Sequence, residues 1–216
     1  MTTDRTVHRS TDASGIDRSM SPDSLTSIEL ELVDEQGNTV GTAEKMYAHQ
    51  APGHLHRAFS VFLFDPGQRM LLQRRALTKY HSPGVWSNSC CGHPHVGGSP
   101  LEAAGRRVTE ELGTDPETLT AAGTVRYRHP DEATGLVEHE FNHLFVGTLS
   151  AAVRPDPAEV AEVAFVDPPE LAGRLAQDPF SAWFRTVLLA AQPSIETVTG
   201  ISWEQPATAR RTKEPR

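Results

Sequence analysis

Three features of the 216-residue sequence predict an α+β fold, a mixed β-sheet flanked by α-helices. Strand-length apolar patterns fill the region before residue 75. One strongly capped helix begins at residue 100. Further strand patterns then lead into two C-terminal helices, so strands and helices are neither segregated nor regularly alternating.

Taken in order, Ile28, Leu30 and Leu32 alternate with Ser27, Glu29 and Glu31, the period of two of a half-buried strand with Glu29 and Glu31 toward water. Asp34-Glu35-Gln36-Gly37-Asn38 turns the chain. The run AFSVFLF, from Ala58 to Phe64, suits a strand buried on both faces. Asp65-Pro66-Gly67 is a turn, and Met70-Leu71-Leu72 begins the partner strand. Residues 75–98 are rich in Gly, Pro, His and Cys and lack periodicity, which predicts a long loop of functional kind. Ser99-Pro100-Leu101-Glu102 is a capping box with Pro at the first helical position, so a helix runs from Pro100 to about Leu112 and stops at Gly113. Its apolar stripe is Leu101, Ala104, Val108 and Leu112. Strands follow near 121–128, 137–149 and 161–166; Pro168-Pro169-Glu170 opens a short helix, and residues 180–191 form the last long one. Residues 1–25 and 204–216 lack large apolar patterns and read as disordered tails, which leaves 26–203 as a single catalytic domain.

The net charge of −8 argues against nonspecific nucleic-acid binding. There is no run of about 18 apolar residues to span a membrane, and the N-terminal stretch lacks the apolar core of a secretory signal. The two cysteines, Cys90 and Cys91, are adjacent and cannot staple distant segments, which suits a reducing cytoplasm. A monomer is expected.

Of ten histidines, only His8 lies outside residues 49–143, which raises the question of a metal. In the segment NSCCGHPH (residues 88–95), Cys91 and His93 flank Gly92, where the backbone can approach a ligand closely. A thiol in that setting can serve as an acid or base, whereas Cys90 reads as a small buried hydrophobe. Glu138 and Glu140 sit two apart in a strand and share a face, with His139 on the other. Two inward carboxylates repel unless a cation lies between them. His49 and His56 flank Pro52-Gly53, and a loop must fold them together; on spacing alone His54 competes with His56. Three imidazoles and two carboxylates suit Zn²⁺ or Mn²⁺. Arg57, Arg69, Arg74, Arg75 and Lys79 face only Asp65 in their stretch, which suggests an anion site using Arg75 with Lys79, or Arg74 alone. Arg107 and Glu111 are helix neighbours at i, i+4.

The stretch RRVTEELG also looks like the end of a Nudix box, G-x5-E-x7-R-E-U-x-E-E-x-G-U, in which U is a bulky aliphatic residue. Arg106, Val108, Glu110, Glu111 and Gly113 align with it. Arg107 and Gly98 stand where that box has carboxylates, and Thr114 replaces the last aliphatic residue, which argues against ordinary diphosphate hydrolysis. Together with EKMYAHQ, HLHRAF, QRRALTKYHSPGVWSNSCCGHPH and GLVEHE, the chain resembles the type I isopentenyl diphosphate isomerases, a Nudix-fold family, over most of residues 40–145. The resemblance implies interconversion of isopentenyl and dimethylallyl diphosphate by a 1,3-proton shift through a tertiary carbocation, as a step of isoprenoid biosynthesis. It implies that His49, His56, His93, Glu138 and Glu140 hold one metal ion, Mn²⁺ or Zn²⁺, which selects His56 over His54. Glu111 is implied as ligand of a Mg²⁺ that also holds the diphosphate. Cys91 is implied as the catalytic thiol and as a further metal-contacting residue, with Glu140 the catalytic carboxylate. Lys45, Arg75, Lys79 and Arg107 match diphosphate-binding positions. Trp183 matches an aromatic facing the cation, and Tyr127 another active-site position. Two other readings remain at this stage: a Nudix hydrolase acting on a diphosphate, and a metal- or thiol-based sensor without turnover.

Overall fold

The computed structural model describes residues 28–203 apart from Tyr80 and Ala133. The tails expected at 1–25 and 204–216 lie outside the described residues. Strand β1 (Glu29–Val33) pairs antiparallel with β2 (Thr39–Glu44). In the turn between them, Asp34 Oδ1 accepts the N–H groups of Gln36 and Asn38 at 2.9 and 2.8 Å. Gly37 there has φ +83°, and a Cβ would lie 2.7 Å from the Phe141 ring, so only glycine fits. A short helix, α1 (Lys45–His49), follows; the Glu44 carboxylate caps it by accepting from the N–H groups of Met46 and Tyr47.

Strand β3 (His56–Phe64) is the centre of a nine-stranded mixed sheet. It pairs antiparallel with β1, with β4 (Met70–Arg75) and with β6 (Cys90–Gly92), and parallel with β8 (Val137–Thr148). β7 (Thr118–Pro130) forms a long antiparallel ribbon with β8, broken by a register shift between Ala121 and Thr124 around Gly123, φ +99°. β9 (Val160–Val166) and the two-residue β5 (Trp86–Ser87) flank β4. The helices are α2 (Pro100–Leu112), α3 (Pro168–Gln177) and α4 (Phe184–Thr199). This is the α+β arrangement expected. Among the described residues no helix is long and apolar enough to cross a membrane.

Both faces of β3 are buried, as its continuous apolar run required. Phe59, Val61 and Leu63 pack with Leu71, Cys90 and Phe145 against Ala103, Ala104, Val108 and Leu112 of α2. Phe62 and Phe64 pack with Met70, Leu72, Leu144 and Val146 against Leu171 of α3 and Phe184, Val187, Leu188 and Ala191 of α4. Each large side chain so buried contributes about 1.5–3 kcal/mol. Helix α2 begins where Ser99 accepts the Glu102 N–H and ends at left-handed Gly113, φ +63°.

Four expectations need correction. The last helix spans 184–199, not 180–191: the Ser181 N–H is already bonded to the Trp86 carbonyl at 2.9 Å, which holds residues 180–183 against β5, and the helix continues through Pro193 because Ile195 and Thr199 are buried. Within the expected loop 75–98, β5 and β6 form by pairing with β4 and β3. Leu101 is exposed, and Ala103 takes its place in the buried face of α2. Glu31 does not face water; it is buried and binds the Arg57 side chain at 2.6 Å and the Gly97 N–H at 2.6 Å.

Candidate active site and metal centre

Three elements assemble one cluster. The parallel register of β3 and β8 places His56 opposite Glu140, with Glu138 on the same face of β8 two residues back. The last turn of α1 supplies His49, and the chain leaving β6 supplies His93. The ligand atoms of His49, His56, His93, Glu138 and Glu140 all lie within 4.8 Å of one another. His54 is outside the group and stacks on Tyr47.

The ring orientations are fixed from behind. His49 Nδ1 donates to the Lys45 carbonyl at 2.7 Å, and His56 Nδ1 to the His54 carbonyl at 2.8 Å, which leaves each Nε2 a lone pair facing inward. His56 Nε2 and His93 Nε2 stand 3.2 Å apart. His49 Nε2 lies 3.3 Å from Glu138 Oε2, and neither buried atom has a hydrogen-bond partner. Burial holds the pKa of His56 down to about 3 and that of His93 to about 4, so both rings are neutral at physiological pH. Burial and then the neighbouring Glu140 push Glu138 upward, whereas the hydrogen bond from His93 overcomes burial to hold Glu140 below the carboxylate range. Converging lone pairs and buried acceptors without donors form a donor set that fits a divalent ion.

Beside this cluster is a cavity of about 460 Å³, lined among others by Cys91, Tyr127, Glu138, Glu140 and Trp183. Adjacent residues of a strand face opposite ways, so Cys90 enters the α2-side core while Cys91 opens to the cavity. Burial pushes the Cys91 thiol up to about 12 despite Arg75, whose Nη1 is 4.0 Å from Sγ, so the thiol is protonated. The Tyr127 hydroxyl donates to Glu140 Oε2 at 2.5 Å, and Asn142 Nδ2 donates to the same oxygen at 2.8 Å. Burial keeps the Tyr127 phenol protonated. The Trp183 indole N–H donates to Asn88 Oδ1 at 3.3 Å, and its ring stacks on His81 at 18° with centroids 5.6 Å apart.

The wall of the cavity is also cationic. Lys45, Arg75, Lys79 and Arg107 all line it, beside Glu110, Glu111 and Glu159. Arg75 is held by the His81 and Ser82 carbonyls and lines the cavity, whereas Arg74 turns outward to Glu162. Arg107 binds Glu111 at 2.5 Å and Glu110 at 2.7 Å, and Gln73 reaches the other Glu111 oxygen at 3.2 Å. Burial lowers the pKa of Lys45 and of Lys79.

The structure therefore brings the site residues that the resemblance implied to one cavity and its adjoining cluster, whereas Arg57 pairs with Glu31 and Arg69 with Asp65 away from it; Cys91 is not among the five clustered ligands. Three residues escaped the sequence reading. Asn142 shares the face of Glu138 and Glu140 at i+2, a signal that periodicity could have supplied. His81, with Nδ1 3.1 Å from Glu138 Oε1, comes from an aperiodic loop and left no such signal. Glu159 is brought in by the turn before β9.

Comparison with known proteins agrees with this geometry. Residues 54–184 match the NUDIX domain. An isopentenyl-diphosphate Delta-isomerase of Streptomyces griseus is 68% identical over 175 residues, covering 81% of this chain and 89% of its own. That of Nocardia farcinica is 47% identical, covering 79% and 98%. Among solved structures, DR0079 from Deinococcus radiodurans superposes with a TM-score of 0.60 at 19% identity, covering 75% of this chain and 96% of that one, which bears on the fold alone. The chain belongs to the Nudix superfamily and, within it, to the isopentenyl-diphosphate Delta-isomerases.

Proposed function

We infer that this chain interconverts isopentenyl and dimethylallyl diphosphate, and that the cavity described above is where it does so. The observation that carries the reading is a protonated thiol, Cys91, lining the same buried cavity as a Tyr127–Glu140 hydrogen-bonded pair. Shifting the double bond requires a proton added at C4 of the alkene and one removed from C2, with a tertiary cation at C3 between. Cys91 and the Tyr127–Glu140 pair are the two acid/base groups, and their roles exchange when the reaction runs backward. The Trp183 face stabilises the cation without offering a lone pair for alkylation. Lys45, Arg75, Lys79 and Arg107 hold the diphosphate, which would leave readily from the allylic product.

His49, His56, His93, Glu138 and Glu140 would hold Mn²⁺ or Zn²⁺, and Glu111, with Cys91 beside it, would hold Mg²⁺ together with the diphosphate. A bound divalent ion supplies the positive charge that the paired carboxylates and the diphosphate need. The single domain, the monomeric state, the cytoplasmic location, the absence of nucleic-acid binding and the place in isoprenoid synthesis belong to this same reading. The acidic composition and the two free cysteines, Cys90 buried and Cys91 half-buried, support it.

The test is an isomerase assay on isopentenyl diphosphate with Mg²⁺, with and without Mn²⁺ or Zn²⁺, and with Cys91→Ala alongside. Dimethylallyl product from the wild type alone is the expected outcome. Phosphate release without isomer would make the chain a Nudix hydrolase instead.

A further inference from the structure

The cations assigned to the diphosphate are not waiting for it with open donors. Lys79 Nζ is bonded to Glu159 Oε2, and Glu159 Oε1 lies 3.4 Å from Arg107 Nη2. One carboxylate thus spans two of the four cations, with its two oxygens directed as two phosphate oxygens would be. Glu159 is half-buried, as are both partners, so these contacts are less screened than a surface pair.

The backbone holds Glu159 in this position independently of its side chain. Its carbonyl accepts the Ala76 N–H at 3.0 Å, and its N–H donates to the Asp156 carbonyl at 3.0 Å. The same turn is pinned to the end of α2, where the Asp156 N–H donates to the Glu111 carbonyl at 2.9 Å and the Arg154 N–H to the Leu112 carbonyl at 2.7 Å. A carboxylate anchored on both sides and aimed into a cationic pocket is a fixed part of that pocket.

We propose that Glu159 is a built-in counter-anion of the diphosphate site, one that substrate must displace from Lys79 and Arg107 and that returns as product leaves. This rests on the assignment of those two cations to the diphosphate. Glu159 balances the charge of Lys79 beside an Arg107 already paired with Glu110 and Glu111, and it weakens retention of any diphosphate by the contacts that must be exchanged. Substrate and product carry the same diphosphate, so this competition weakens both alike, and Glu159 favours release of either. The carboxylate also repels a diphosphate not accompanied by a cation, since Glu110 and Glu111 share that rim.

Inorganic pyrophosphate with Mg²⁺, measured by calorimetry, and the KM for isopentenyl diphosphate give the test. Glu159→Gln keeps the shape and the backbone anchors while removing the charge; it should lower both Kd and KM, by roughly three- to tenfold for loss of a competing ion pair. Glu159→Asp, whose shorter arm reaches the cations less well, should move both in the same direction by less, and it serves should Glu159→Gln fail to fold. Unchanged or weakened pyrophosphate binding in Glu159→Gln overturns the proposal; weakening would mean that Glu159 binds the accompanying ion instead. Lys79→Ala separates the two levels of the argument. It should weaken pyrophosphate binding; if it does not, the diphosphate lies elsewhere and both assignments fall. If Lys79→Ala weakens binding while Glu159→Gln leaves it unchanged, only the counter-anion is lost.

Discussion

The two ends of the cavity are prepared in opposite ways. At the histidine end, His49 Nε2 and Glu138 Oε2 are buried without hydrogen-bond partners, and the His56 and His93 Nε2 atoms face each other at 3.2 Å. At the cationic end, Lys79 is matched by Glu159, and Arg107 by Glu110, Glu111 and Glu159. An ion entering the first end adds interactions that the protein cannot make with itself. A diphosphate entering the second exchanges one set of ion pairs for another. The difference teaches that a resident group and a transient one call for different surroundings: the former is rewarded by unsatisfied atoms, the latter by partners that can be returned.

The largest expected effects come where the two ends meet the chemistry. Glu140 is both a cluster member and the acceptor of the Tyr127 hydroxyl, so Glu140→Gln should lower turnover at least about 10³-fold while the protein still folds. Cys91→Ala should do the same, whereas Cys90→Ala, its core-facing neighbour, should keep activity and lose only stability, about 1 kcal/mol. Turnover together with thermal melting checks all three, and a folded, near-normally active Cys91→Ala would remove the thiol from the mechanism. Next in size is the response to ligands. Chelator treatment should abolish activity and lower the melting temperature, and Mn²⁺ or Zn²⁺ added back should raise it in proportion to the logarithm of concentration. Pyrophosphate added to the metal-free protein should raise it much less. Equal stabilisation by pyrophosphate would break the contrast between the two ends.

Much of this was legible in the sequence because it is carried by short-range periodicity. The face shared by Glu138 and Glu140, the double burial of Phe59 to Phe64 and the caps at Ser99 and Gly113 each follow from residues a few positions apart. What was not legible depends on pairings across the chain. Glu31 was placed on a wet face because its alternation says nothing of Arg57, which arrives on β3 from 26 residues away. The choice of Arg75 over Arg74 needed the His81 and Ser82 carbonyls, and Glu159 reaches Lys79 across 80 positions. The last helix ran past Pro193 because a buried face outweighed the one hydrogen bond that proline removes.

Two smaller effects probe each end separately. Arg107→Ala should raise the KM for isopentenyl diphosphate about tenfold, since it removes a charge-assisted contact and leaves Glu111 without its 2.5 Å partner. His81→Ala should lower kcat by about three- to tenfold, the worth of an aromatic stack, by freeing the Trp183 ring to tilt and loosening Glu138, with KM little changed. A change in KM instead would place the His81 imidazole with the cations that hold the diphosphate.

The smallest effect is one of pH, and it comes mostly from the histidine end. In the metal-free protein, burial depresses His56 to about 3 and His93 and His81 to about 4, against an ordinary value of 6.5. A depressed folded-state pKa means that the unfolded chain takes up protons first, so this stability is present above about pH 6.5 and is lost as the pH falls toward 4. His49 opposes the trend, because Glu138 overcomes burial and raises its pKa; protonating it favours the folded state on acidification. Glu138, pushed up by burial and by Glu140, opposes the trend as well, whereas burial also lowers His129 and His143; five depressed histidines against His49 and Glu138 predict a net fall. The melting temperature of the metal-free protein should therefore drop by several degrees between pH 7 and pH 5, and His93→Gln should flatten the slope. Lys79, lowered by burial, is not one of the histidines that take up these protons, so Lys79→Ala should leave the acid slope as it is. An acid slope that follows Lys79→Ala rather than His93→Gln would mean that the two ends are electrostatically one site.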